Sequence, residues 1–381
     1  MQEAVARQLE LPHVSSGAFH AILEFVFTGH FAVGVEELLS AVQAASYLQV
    51  PAFLARCWPA LNAHLSPHNC LTLLRFAEAI GCPEMRAELC RFLSTELLEL
   101  APITRDLASV LREELAQLRE CGPLQLCLLR KENLGIQPGP EMQALRGLYH
   151  LPLGRVGTWH RASTLPFQAE KWSFSAAQLL NYLFLIGGYR EPRGTRGFTF
   201  RMAAFRYNPL ANRWQPTAPL LKRRRHFSTA VRAAHLCHWR LVSGLASGAR
   251  HTWQELLPTL TKADTDLPGL YFLGGSEPLY VLGGNARENV LTSFSPEARR
   301  WGPARSLPRC ALAGQGVVQG TRLFMAAPDL GAVLRVELDT LACCTLPPPP
   351  FSLFYEAVVL LHFPPPGPDV SSEQGRRAHK P

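Results

Sequence analysis

The residues of this 381-residue chain that could do covalent chemistry do not gather into a working set. Gly314-Gln-Gly316 with Gly320 approaches a dinucleotide-binding glycine loop, but it lacks the G-x-G-x-x-G spacing and the strand and helix that must frame it. Gly244-Leu-Ala-Ser247-Gly248 is not a G-x-S-x-G nucleophile elbow. Thirteen histidines include Cys237-His238 and Arg225-His226, and a lone histidine beside a basic run is more often a surface residue than a base or ligand. None of the ten cysteines forms a C-x-x-C pair, and Cys343-Cys344 on a strand would point to opposite faces. Neither a zinc site nor a disulfide framework is expected. The expectation is a binding protein with no catalytic residues, cofactor or metal. The residues left for binding are the basic run Lys222, Arg223, Arg224 and Arg225, which would attract acidic segments. No stacking aromatics interleave with it, so no nucleic-acid partner is expected.

Composition agrees with a globular chain. It is 47% hydrophobic and 18% charged, with a net charge of +8 spread along its length. The first residues lack the apolar core of a signal peptide, and no N-x-[ST] acceptor occurs. The apolar stretch from Phe351 to Phe363 is too short to span a bilayer and contains Glu356. These features predict a reducing compartment, the cytoplasm or also the nucleus, with no membrane partner.

The elements change character along the chain. Up to about residue 120, apolar residues recur at helical spacing: Phe19, Ile22, Leu23 and Val26; Leu38, Leu39, Val42, Ala45 and Leu48; Leu73, Leu74, Ala77 and Ile80. Ser66-Pro67 and Pro83 predict helix starts, with Met85, Leu89, Phe92 and Leu93 inward after the second, and Thr104 predicts a cap for Leu107 to Leu118. Residues 122–178 carry proline and glycine breaks and no clear motif, and strand-like text runs from Leu179 to about Phe363. A proline-rich tail over 364–381 is expected to be disordered.

Within the strand-like half one text occurs twice. Tyr182-Leu-Phe-Leu-Ile-Gly187-Gly188 precedes Phe205 to Trp214, and Tyr280-Val-Leu-Gly283-Gly284 precedes Phe294 to Trp301. Paired glycines let backbones approach at a strand end, and each tryptophan offers apolar surface for packing one small sheet on the next. Tyr271-Phe-Leu-Gly-Gly275 nearly repeats the second text and predicts a hairpin with it, and Leu323 to Leu338 predicts a partial unit. Cys237 to Leu270 reads as no such unit.

This text resembles kelch repeats, the blades of a β-propeller. The helical text resembles the later part of a BTB domain running into a BACK domain, on Phe19 to Gly29, Ala45-Ser-Tyr-Leu-Gln49, Leu65 to Leu71 and Ala77 to Cys82. Together they resemble the kelch-like (BTB–BACK–kelch) family. The resemblance implies a multidomain α-then-β chain: BTB remnant over 1–60, BACK-like helices and linker over 61–178, and kelch blades over 179–363. Three departures stand beside it. The opening half of a BTB domain has no counterpart before Met1, the late BACK helices are not legible between Gly122 and Gln178, and residues 180–363 number only 184, so an incomplete or irregular propeller in a truncated or divergent member is expected.

The resemblance further implies a substrate-recognition adaptor of a cullin-3 RING ubiquitin ligase. Met1 and Glu3 match that family's hydrophobic-x-Glu cullin-binding motif, and Lys222 to Arg225 would lie on the substrate face. It also implies an unidentified protein substrate and a homodimer through the BTB part. The alternative is a non-ligase kelch scaffold or an inactive isoform.

Overall fold

The structure, a computed structural model, describes residues 11, 14–131, 146–153, 157–167, 174–190, 199–200, 202–220, 271–273, 278–284, 288–295, 298 and 300–365. The chain divides between Leu118 and Arg119 into a helical unit and a strand-rich unit.

In the helical unit, α1 (Ser16–Thr28) starts where Ser15 Oγ accepts from the Ala18 N–H at 3.2 Å. It stops at Gly29, whose φ of 72° closes the last turn. There follow α2 (Leu38–Tyr47), α3 (Pro51–His64), α4 (Cys70–Ala79), α5 (Pro83–Thr95), α6 (Ala101–Thr104) and α7 (Ser109–Leu118). Pro83 opens α5 as its sequence predicts, and Met85, Leu89 and Leu93 are buried. Leu38, Val42 and Ala45 of α2 and Leu73, Leu74 and Ala77 of α4 are likewise buried.

Several helix details differ from expectation. Of the predicted α1 stripe only Ile22 is buried, while Leu23 and Val26 face outward with Phe27, which is 82% exposed. Ser66 does not cap α4. The helix begins at Cys70, and Asn69 Oδ1 accepts the Ser66 N–H at 2.9 Å to fold a tight turn ahead of it. Thr104 does not cap the next helix either. It ends α6, buried, and its hydroxyl donates to the Leu100 carbonyl at 3.1 Å.

The strand-rich unit begins with β1 (Leu124–Arg130), β2 (Gly147–Pro152) and β3 (His160–Thr164). Next come β4 (Ser175–Leu179), β5 (Tyr182–Ile186), β6 (Tyr189–Arg190), β7 (Thr199–Phe200), β8 (Ala204–Asn208) and β9 (Arg213–Thr217). After these lie β10 (Tyr271–Leu273), β11 (Leu279–Gly284), β12 (Asn289–Ser295), β13 (Arg300–Trp301) and β14 (Arg305–Leu307). The last are β15 (Ala313–Gln319), β16 (Arg322–Ala327), β17 (Ala332–Glu337), β18 (Cys343–Thr345) and β19 (Glu356–His362).

Strands therefore begin at Leu124 rather than at residue 179, inside the stretch expected as BACK-like helices and linker, and the helical unit ends at Leu118. The cause is burial on both faces. Leu124 to Leu129 is a nearly continuous apolar run without the alternation that marks a half-buried strand.

Among the described residues, beside the short β6–β7 pair, the strands form four antiparallel groups. They are β19-β1-β2-β3, β4-β5-β8-β9, β10-β11-β12 with β13 and β14, and β15-β16-β17-β18. The first and last join into one eight-stranded sheet through a parallel pairing of β15 with β19 at Gln315↔Ala357. The expected hairpin is present, with Tyr271 opposite Leu282, and Leu323 to Leu338 forms the β16–β17 pair.

Alternate residues of one strand serve different interfaces. Ala357, Val359 and Leu361 of β19 pack with Ala176, Leu183 and Tyr207, while Val358 and Leu360 pack with Phe324, Ala326 and Val333. Leu323 and Met325 of β16 turn the other way, onto Leu282, Leu291 and Leu307. The groups thus stack face to face in the order β10–β14, β15–β18, β19-β1-β2-β3, β4–β9. A helical region followed by such stacked small sheets is consistent with part of a β-propeller.

Candidate functional site

The repeated glycine pairs fall at strand ends. Gly187 and Gly188 leave β5 with φ of 68° and 100°, both buried, a conformation that side chains with a Cβ rarely adopt. Gly283 and Gly284 close β11, opposite Val290 and Asn289 of β12.

The two tryptophans differ. Trp214 stands opposite Tyr207, ring centroids 5.0 Å apart, and its indole N–H donates to Ser163 Oγ of β3 at 3.1 Å. It is partly buried against the cluster shared by the β4–β9 and β19-β1-β2-β3 groups. Trp301 is 36% exposed, more open than the sheet-packing role its sequence predicts. With Arg300, Ser293, Ser295, Pro278 and Gly302 it lines an open hollow of about 380 Å³. The strand turns away just beyond it. The Gly302 N–H donates to the Ser293 carbonyl at 2.7 Å, and a Cβ on Gly302 would lie 2.5 Å from Ser293 Oγ.

Met1 and Glu3, and the basic run Lys222 to Arg225, lie outside the described residues.

Two buried arginines carry no motif in the sequence. Arg119 is fully buried. Its guanidinium donates to the Leu180 carbonyl at 2.7 Å, the Asn181 carbonyl at 3.2 Å and Asn208 Oδ1 at 3.1 Å, and lies 3.7 Å above the Tyr182 ring. Leu180 and Asn181 have φ of 51° and 53°, and this tight β4–β5 turn aims both carbonyls at the cation. Asn181 in turn donates to the Arg119 and His362 carbonyls and accepts the His362 N–H, which ties the turn to β19. Arg130, 1% exposed, stands with Nε 2.5 Å from Glu356 Oε1 and donates from Nη2 to the Ser352 carbonyl. Burial pushes the Glu356 carboxyl upward, while Arg130 and the Phe354 N–H pull it back. The only written signal for Arg130 was a cation ending an otherwise apolar run.

The resolved thiol shifts run against nucleophilic chemistry, because burial pushes Cys57 up to about 12 and Cys310 up to about 11. Among the described residues no group of three His, Cys, Asp or Glu could hold a metal ion. No helix among them is long and apolar enough to cross a membrane.

The family description that matches this chain is the BTB/POZ domain, over residues 1–65. Mouse Kelch-like protein 42 is 27% identical over 255 residues, 60% of this chain and 50% of that protein. Mouse Kelch-like protein 38 is 29% identical over 125 residues, 32% of this chain and 21% of that protein. Human Kelch-like protein 28 is 31% identical over 85 residues, 22% of this chain and 15% of that protein. The chain spans half or less of the length of these curated relatives. A solved structure titled "Structure of YjhT" covers 53% of this chain and 59% of its own at 15% identity and a TM-score of 0.21, too loose a likeness to bear on the fold. Over residues 1–65 the chain is thus similar to a BTB domain, and over longer stretches to parts of kelch-like proteins.

Proposed function

We propose that the chain is a substrate-recognition adaptor of a cullin-3 RING ubiquitin ligase, with its small sheets holding substrate and its helices holding the cullin. The observation that carries this reading is a BTB match at residues 1–65 ahead of stacked antiparallel strand groups in one chain. In this reading α4 to α7 are a BACK-like spacer, the protein works in the cytoplasm or nucleus, and binding rather than catalysis is its task. Met1 would fill an apolar pocket on the cullin while Glu3 selects and orients a donor beside it. The outward Leu23, Val26 and Phe27 of α1 offer further apolar surface for a partner. Lys222 to Arg225 would favour acidic substrate segments, an attraction that weakens with salt.

The deciding experiment is capture by purified cullin-3, comparing the parent chain with Glu3→Lys. Capture by the parent and loss in the variant supports the adaptor with its motif. Equal capture rejects the motif, and no capture by either rejects the adaptor in favour of a non-ligase scaffold or an inactive isoform.

A further inference from the structure

Between β18 and β19 the chain passes through Leu346-Pro347-Pro348-Pro349-Pro350-Phe351. Each proline fixes its own φ at about −65° and holds the residue before it extended, and none has an N–H to give to a sheet. A run of this kind continues as a polyproline II helix, with about three residues per turn and no hydrogen bonds of its own. Burial along the run keeps that period. Leu346 is partly buried and Pro349 buried, while Pro347, Pro348 and Pro350 are exposed.

The strip is fastened at both ends. Leu346 and Phe351 pack on the cluster of Leu126, Leu128, Phe324 and Val358. The Leu346 N–H donates to the Val333 carbonyl at 2.9 Å, and the Phe351 ring lies 5.0 Å from that of Tyr149. Its backbone carbonyls have no partner within the strip and are strong acceptors. The chain itself uses one of them: the Trp159 indole N–H donates to the Pro347 carbonyl at 2.8 Å. An aromatic ring with a donor at its edge is the device that suits this backbone.

We infer that Pro347 to Pro350 form a docking strip for a protein domain that reads polyproline through an aromatic-lined groove, as SH3, WW and EVH1 domains do. Pro347 and Pro350 supply the P-x-x-P pair, one turn apart on one outward edge, and Pro348 stands on the other. No charged residue occurs from Thr340 to Tyr355, so the groove that fits reads apolar rings and carbonyls without a charged flank. A strip held in its bound conformation by its own prolines and by two packed ends loses little conformational freedom on docking, which favours affinity.

The test titrates a panel of purified SH3, WW and EVH1 domains with the full chain by isothermal calorimetry, and repeats it with Pro347→Ala and Pro350→Ala combined. The expected result is a domain that binds the parent and binds the double variant about tenfold more weakly or less. Both prolines are exposed, so the variant should keep the parent's thermal melt. A synthetic peptide of residues 345–352 should displace the parent chain from that domain, a readout that does not depend on how the variant folds. Binding by no domain in the panel overturns the inference, and so does a peptide that fails to compete. Binding that the variant retains belongs to other prolines, such as Pro364 to Pro366, and overturns it as well. Cullin binding plays no part in the readout, so this result stands apart from the adaptor test.

Discussion

Arg130 and Glu356 are register partners on β1 and β19, and their side chains meet 2.5 Å apart with 1% and 0% of their surface exposed. Removing one partner leaves a buried charge alone, which costs about 3–5 kcal/mol. Replacing both by apolar residues of similar volume removes the charge problem altogether. Glu356→Gln and Arg130→Met are each expected to destabilise the strand-rich unit by several kcal/mol, and Arg130→Met with Glu356→Leu by much less. Urea unfolding of the four proteins measures the coupling, and additive losses would show that the two side chains do not act as a pair.

Arg119 is the second such place. Arg119→Ala strips the carbonyls of Leu180 and Asn181 and the side chain of Asn208 of a buried donor. A loss on the order of 3 kcal/mol is expected, since each orphaned buried acceptor costs about 1–3 kcal/mol and relaxation recovers part. Arg119→Lys should not restore it, because one ammonium cannot reproduce the guanidinium's reach to both carbonyls of the β4–β5 turn and to Asn208 at the end of β8. A thermal melt followed by near-UV circular dichroism reads both variants.

For Trp214 the hydrogen bond and the ring separate cleanly. Trp214→Phe keeps the ring contact with Tyr207 and loses the bond to Ser163, an expected cost of about 1 kcal/mol. Trp214→Ala removes both and should cost about 3 kcal/mol, the low end for core aromatics because this one is only partly buried. Equal stability of the two variants would assign the whole effect to the hydrogen bond.

His150 gives the unit an acid limit. Its ring stacks on Phe363 at 4.8 Å, meets Gln125 and faces His160 at 5.7 Å. Burial, with His160 adding to it, holds its pKa below the ordinary 6.5. The unfolded chain then binds the proton more readily, so this contribution is whole above about pH 6.5 and is lost as the pH falls toward the depressed folded value. His150→Phe is expected to flatten the fall in stability between pH 7 and pH 5, measured by denaturant midpoints at each pH.

Legibility followed the range of the interaction. Pro83 and the glycine pairs at 187–188 and 283–284 act on their own backbone, and they marked α5, β5 and β11 where those elements stand. Leu124 to Leu129 gave no strand signal because both faces are covered, one by Leu148, Ala176 and Leu183, the other by Phe324 and Val333. Those covers come from distant text. Trp214 and Trp301 read alike, yet differ in exposure, because burial depends on the neighbouring sheet and not on the local pattern. Arg119, next to the end of α7, reads as an ordinary helix-end cation. Only the fold of the β4–β5 turn gives it three acceptors.

The pairing of Leu124 with His362 sets when this unit can form. During synthesis β1, β2 and β3 emerge early, but the strand that completes their sheet is made some 200 residues later. Until then β1 presents a bare, apolar edge open to any extended chain nearby. Contacts this far apart in sequence form slowly, since a long loop must close before they repay its entropy. The nascent chain therefore has a long interval in which misassembly competes with folding, and a ribosome stalled before Glu356 would hold it there.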